Sequence, residues 1–181
     1  MSKVFNFEVN EKGGWIVPAC TVFEKEVVFP DYCEFGDFCK FGYFCKFGDF
    51  CEFDDYCEFG RSCKFGNSCK FGSFCKFGYF CKFGHSCEFG HYCKFGHSCE
   101  FGNSCNIPKG CILEDVIMQR WTTLSNLDGS GRQILIIVHE GGAKIRAGCF
   151  CGNLDAFVAK VKSEGKEIYA KVVPLVANSL V

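Results

Sequence analysis

The chain has 181 residues, 48% apolar content and a formal net charge of −1. That composition fits a folded repeat domain with one small appendage and leaves no electrostatic case for generic nucleic-acid binding. No secretory leader or membrane span is read, because the longest apolar run, Ile134 to Val138, is far short of the ~20 residues a spanning helix needs.

Residues 1–16 carry VFNFEV and a Gly13-Gly14 turn before Trp15. They read as a strand or loop that closes the first winding of a repeat array, since an open end would expose apolar side chains and strand edges. From Val17 to Met118 the chain is written in six-residue units, 17 in all. The regular ones begin at Phe35: FGDFCK, FGYFCK, FGDFCE, FDDYCE, FGRSCK and so on to FGNSCN. A fixed short period marks a solenoid. Reading backwards from Phe, the residues alternate Phe in, Lys or Glu out, Cys in, variable residue out, the period-2 pattern of a strand with one buried face. Gly after each Phe reads as the corner, because glycine takes positive φ without penalty. Asp54 replaces it once, and Pro18, Pro30 and Pro108 stand at that position near the ends of the array. Proline cannot take positive φ, so those corners are expected to be built differently.

This frame resembles the hexapeptide repeat of left-handed parallel β-helices: a large aliphatic residue, then Gly, Ala, Asp or Glu, two variable residues, and a small residue. Phe stands here where an aliphatic is usual, and Cys where Ser, Thr, Ala or Val is usual. The resemblance implies a mainly β, left-handed triangular prism over 17–118, with three units per winding and five and two-thirds windings. At about 4.8 Å per strand it would be roughly 27 Å long. A pentapeptide solenoid is excluded, because a period of five fails at every copy.

Residues 119–181 lose the period and read as a small β-plus-α domain. VIMQRWTTL, RQILIIVHE and AKIRAGCF are predicted as three strands joined by Gly-rich turns. NLDAFVAKVKSEG is a helix opened by Asn153 or Asp155 and stopped at Gly165, and Tyr169 to Leu180 has helical spacing interrupted by Pro174. The passage from FG repeats into AGCF, LD and FVAKV resembles uncharacterised proteins of bacterial viruses and prophages.

Fourteen of the 17 cysteines, Cys33 to Cys111, sit at one inward position of the repeat. A spacing of 18 would stack them within disulfide reach. The position asks for a small apolar residue, however, and free buried thiols in a reducing cytoplasm are the expectation. No Cys-x-x-Cys pair exists, so neither a metal nor a cofactor is called for. Cys149 and Cys151 form a lone C-x-C, read as one buried and one exposed thiol.

The β-helix resemblance also implies acyltransferases and carbonic anhydrases, both dependent on histidine. His85, His91 and His97 fall on three different corners, and the repeat from Phe35 to Asn106 contains no inserted loop. His139 stands beside Glu140 without a nucleophile partner. No catalytic residue is therefore assigned. Sorting the outer positions by face gives one unbroken aromatic column, Phe38, Tyr56, Phe74 and Tyr92, with Lys40, Lys76, Lys94 and one acid, Glu58, beside it. The column reads as an interface that packs the chain into a homo-oligomer, dimer or trimer, or that receives a host protein. One locally basic face carries Lys46, Arg61, Lys64 and Lys82, candidates for an anion or nucleotide. The leading expectation is a non-enzymatic binding scaffold encoded by a bacterial virus. The alternatives are a histidine-dependent acyltransferase and an anion-binding protein acting through the basic face.

Overall fold

The computed structural model describes residues 5–180, which divide into two compact units, Met1–Asp115 and Val116–Val181. The expected cap is described from Phe5 on, and residues 1–4 lie outside the described residues.

The first unit is a parallel β-solenoid with 18 residues per coil. The regular six-residue copies each contribute a two-residue strand, such as Glu34–Phe35, Lys40–Phe41 and Lys46–Phe47, and at Asn106 the ladder is reduced to a single bridge to Glu88. Every strand pairs with the one 18 residues on, so Lys64 opposes Lys82 and Phe65 opposes Phe83. Three parallel ladders result, one per side of the coil, and the ladder through Lys46–Phe47 holds five strands. At the start, Glu8–Val9 pairs antiparallel with Trp15–Val17, and the rings of Phe5, Phe7 and Trp15 lie 5.4–6.0 Å from those of Phe23 and Phe29. Aromatic rings thus cover the first layer of the core. The regular register ends at Ile112–Leu113, after which Glu114 and Asp115 both take positive φ.

The core is layers of three phenylalanines. Within one layer the rings meet edge to face, Phe53 to Phe59 and Phe59 to Phe65 both at 5.0 Å and 85–86°. Between layers they stack, Phe53 on Phe71 at 4.9 Å and 3°. Both arrangements suit the ring quadrupole. Each buried Phe contributes about 1.5–3 kcal/mol from area alone, before entropy is subtracted.

The glycines do not make the corners by positive φ, contrary to the sequence expectation. The left-handed residue is two positions later: Tyr32, Phe38, Phe44, Phe50, Tyr56, Ser62 and their successors to Ser104 have φ of 54–61°. Their amides explain it, because Phe38 N–H donates to Asp55 O at 3.0 Å and Ser68 N–H to His85 O at 2.8 Å. Glycine is needed for a different reason. A Cβ at Gly84 would stand 2.5 Å from Gly66 O, and one at Gly60 would stand 2.7 Å from Gly42 C, both backbone atoms of the coil before. The missing side chain gives successive coils room to approach. The proline corners are correspondingly ordinary: Cys20 and Tyr32, two residues after Pro18 and Pro30, have the same φ of 60°.

The inward cysteines have a specific role. From Cys39 on, each thiol donates to the carbonyl at the Gly position of the coil before, as in Cys57 Sγ to Gly36 O at 3.5 Å, Cys69 to Gly48 at 3.4 Å and Cys105 to Gly84 at 3.2 Å, whereas Cys33 donates to Pro30 O of its own coil at 3.3 Å. These inward carbonyls are thereby satisfied without a strand partner. All 17 cysteines are free; Cys33 to Cys99 and Cys111 are buried, Cys105 half-buried, and Cys20, Cys149 and Cys151 exposed. Cys149 and Cys151 are both exposed, where one buried thiol was expected.

The second unit is a four-stranded antiparallel sheet, Arg120–Ser125, Gln133–His139, Gly142–Ala147 and Phe150–Asn153, followed by helices α1 (Leu154–Ser163) and α2 (Glu167–Ser179). The expected third strand is two strands, because Gly148 at φ 60° turns the chain between Ala147 and Phe150. Asn153 caps α1 by accepting the Ala156 N–H at 2.9 Å. Ile134, Ile136 and Ile145 of the sheet pack on Phe157 and Val161 of α1 and on Tyr169, Val173 and Ala177 of α2. Pro174 lies inside α2, beside the buried Val173 on the face that packs on the sheet. No helix among the described residues is long and apolar enough to cross a membrane.

Candidate interaction surface

Eighteen residues per coil bring every third copy of the repeat to the same corner, so outward side chains form columns along the solenoid. At the corner between the Glu34–Phe35 and Lys40–Phe41 strands the left-handed residue is aromatic in four successive coils: Phe38, Tyr56, Phe74 and Tyr92. Their rings stack at 4.9 Å and 7°, 5.0 Å and 4°, and 5.3 Å and 21°. They nonetheless remain 41–57% exposed. The rings cover one another's faces and present a ladder of edges to solvent.

Placing these side chains at φ near +60° is costly. A non-glycine residue pays about 1–2 kcal/mol in that region, against about 0.5–1.5 kcal/mol for each stacked pair. Stacking therefore does little more than offset the strain. The other corners hold shorter runs, Tyr32 on Phe50 at 5.1 Å before Ser68, Ser86 and Ser104, or Phe44 and Phe80 separated by Ser62. Four consecutive exposed rings occur at one corner only among the described residues.

Two further columns flank the stripe. On one side stand Asp37, Asp55, Ser73 and His91, and on the other Lys40, Glu58, Lys76 and Lys94. Glu58 binds Lys76 at 2.9 Å and Lys40 at 3.4 Å within its own chain. The hydrogen bond from Lys76 holds its carboxyl below the usual carboxylate range against partial burial, with Lys40 adding to the effect.

The basic candidates are only partly gathered. Lys46, Lys64 and Lys82 lie in one row as direct strand partners. Lys82 is bound to Glu100 at 2.8 Å. Arg61 belongs to a corner column and lies over the Tyr43 ring at 5.7 Å, with Lys25 over the same ring at 5.5 Å.

The histidines of the repeat act as structural ties. His85 Nδ1 accepts the Asn103 N–H at 2.8 Å. His97 stacks on Tyr79 at 5.6 Å, and its two ring nitrogens face Glu114 at 2.9 Å and Asp115 at 2.8 Å. Glu114 is 4% exposed and also accepts the Ser98 N–H at 3.0 Å. Sequence reasoning missed this terminal cluster, although Asp115 follows His97 by one 18-residue coil. His91 lies 6.1 Å from Tyr92. In the second unit, His139 Nδ1 accepts the Gly141 N–H at 3.1 Å beside a cavity of about 310 Å³ lined with Arg120 and Glu140. No three His, Cys, Asp or Glu among the described residues converge on a metal site. No protein-family model, curated protein or solved structure matches the chain.

Proposed function

We propose that the chain is a rigid, non-enzymatic binding scaffold that works by contact through the Phe38–Tyr56–Phe74–Tyr92 stripe. The observation that carries this reading is the exposure of four stacked rings at positions where the backbone penalises any side chain. Rigidity supports it too, since each coil is bonded to the next on all three sides and at the corners. The histidines weigh against acyl transfer, because His85 and His97 already spend ring nitrogens on the fold.

The hexapeptide frame supports a left-handed coil, and the free thiols support a reducing cytoplasm. The resemblance of the FG repeats and the AGCF, LD and FVAKV passage to uncharacterised viral and prophage proteins is the sole basis for reading a viral gene product that occupies a host protein. The row of Lys46, Lys64 and Lys82 supports a second, anion-binding reading, because like charges in register invite a counter-charge.

The test is affinity capture from bacterial lysate, with wild type compared against Tyr56→Lys/Phe74→Glu. Both substitutions point outward and leave the phenylalanine core intact. A partner held by wild type and released by the double variant supports the reading. Capture that ignores the variant, or depends on Lys46 and Lys64 instead, rejects the stripe.

A further inference from the structure

We infer that the occupant of the aromatic stripe is a second copy of this chain, related by a two-fold axis perpendicular to the solenoid. The inference rests on the reading that the stripe is a contact surface, and it adds the identity and direction of the partner.

The argument comes from the order of residues across and along the corner. Along it the rings run Phe38, Tyr56, Phe74, Tyr92. An antiparallel copy centred between Tyr56 and Phe74 places Phe38 against Tyr92 and Tyr56 against Phe74. Every hydroxyl-bearing ring then meets a plain one. A parallel copy in register places Phe on Phe and Tyr on Tyr, crowding hydroxyls at two levels.

The flanking charges discriminate more sharply. A perpendicular two-fold sets each flank against the same flank of the other copy, running in reverse. On the first flank Asp37 meets His91 and Asp55 meets Ser73, a carboxylate facing a donor in both pairs. On the second, Glu58 meets Lys76, and Lys40 meets Lys94 at the rim. Lys40 is already bound to Glu58 of its own chain, which softens that one like-charge meeting. A two-fold along the solenoid axis sets opposite flanks together instead. It pairs Asp37 with Lys40 but opposes Asp55 to Glu58 and His91 to Lys94. Moving the perpendicular axis by half a coil sets Asp55 against itself or Lys76 against itself. A register centred on Phe74 also gives each acid a cation or donor, but it sets Lys76 against itself and Phe38 against Gly110; the centred antiparallel register does so while keeping all four rings in contact.

Four half-exposed rings per copy fall well short of the ~800 Å² per partner of tight complexes. The dimer is therefore expected in the micromolar range.

The experiment is sedimentation equilibrium on the full chain, comparing wild type with Asp37→Lys, His91→Asp and the Asp37→Lys/His91→Asp double variant. Each single change sets like charges, or a cation and a donor, face to face twice per dimer, and is expected to weaken association about tenfold. The double variant restores opposite charges and is expected to return to within about threefold of wild type. Asp37→Lys also removes the acceptor for the Asp55 N–H, so recovery in the double variant, which lacks that acceptor too, is decisive. Tighter association by His91→Asp, which a parallel copy would set against Lys94, instead overturns the antiparallel arrangement in favour of the parallel one. Dissociation by Tyr56→Glu/Phe74→Glu with no rescue by the Asp37→Lys/His91→Asp double variant overturns the direction of packing while leaving the stripe as the contact. A wild type that is monomeric at about 100 μM overturns the second copy as occupant and leaves the scaffold reading to its own test.

Discussion

Asp49 Oδ1 accepts the backbone N–H of Asn67, one coil further on, at 2.6 Å. The relation continues along the same corner: Asp31 to Asp49 at 2.8 Å, Asn67 to His85 at 2.8 Å and His85 to Asn103 at 2.8 Å. Each short polar side chain satisfies a turn amide that has no strand partner. Asn67→Leu should therefore orphan the His85 amide, and the loss is expected near 1 kcal/mol because the corner is solvated. Asn67→Asp keeps the acceptor and should cost less. Urea unfolding of both variants measures the difference; equal losses would dismiss the ladder.

The close approach of coils makes opposite predictions for two sites at the Gly position of the repeat. Gly84→Ala forces a Cβ to 2.5 Å from Gly66 O, and overpacking of that kind costs about 1–3 kcal/mol. Asp54→Gly restores the regular corner and should stabilise. Burial, followed by the nearby Asp37, raises the Asp54 pKa above 3.8. For an acid, a raised folded value means that ionisation opposes folding, so stability falls as pH rises through the unfolded value. The gain from Asp54→Gly should then be larger at pH 7 than at pH 3. Thermal melts at the two pH values decide it, and a destabilised Asp54→Gly would refute the account.

Glu58 has the opposite sign. Its pKa is lowered from 4.5, chiefly by the hydrogen bond from Lys76. Its contribution is present above the unfolded value and is lost as pH falls through the folded one. Glu58→Gln should be less stable than wild type at pH 7, by no more than about 1 kcal/mol for so exposed a cluster. The difference should vanish in strong acid. A gap independent of pH would show that packing, not charge, is lost.

Thiol reactivity tests the core directly. Cys20, Cys149 and Cys151 are exposed and should react with a thiol reagent in the folded protein. Cys69 and Cys75 should not, because both are buried and their thiols donate to Gly48 O and Asp54 O of the coil before. Anaerobic unfolding should then release all 17. Recovery of fewer than about half would mean bridged cysteines and an oxidising compartment.

The period-2 alternation and the six-residue repeat by themselves determined the coil, its inward Phe and Cys, and its outward Lys and Glu. Inside and outside in a two-residue strand depend only on adjacent residues. The aromatic stripe was legible once the hexapeptide resemblance implied three units per winding, since counting by 18 places Phe38, Tyr56, Phe74 and Tyr92 in one column. Tertiary structure alone decided what Gly84, Cys69 and Asn67 are for. Gly84 answers to the backbone of Gly66, Cys69 to the carbonyl of Gly48, and Asn67 to the amide of His85. All three partners lie about one coil away, and their distances exist only once the coils have stacked. The left-handed backbone at Phe38 was hidden for the same reason, because the acceptor of its N–H is Asp55 O in the next coil, and local preference would have given that φ to glycine.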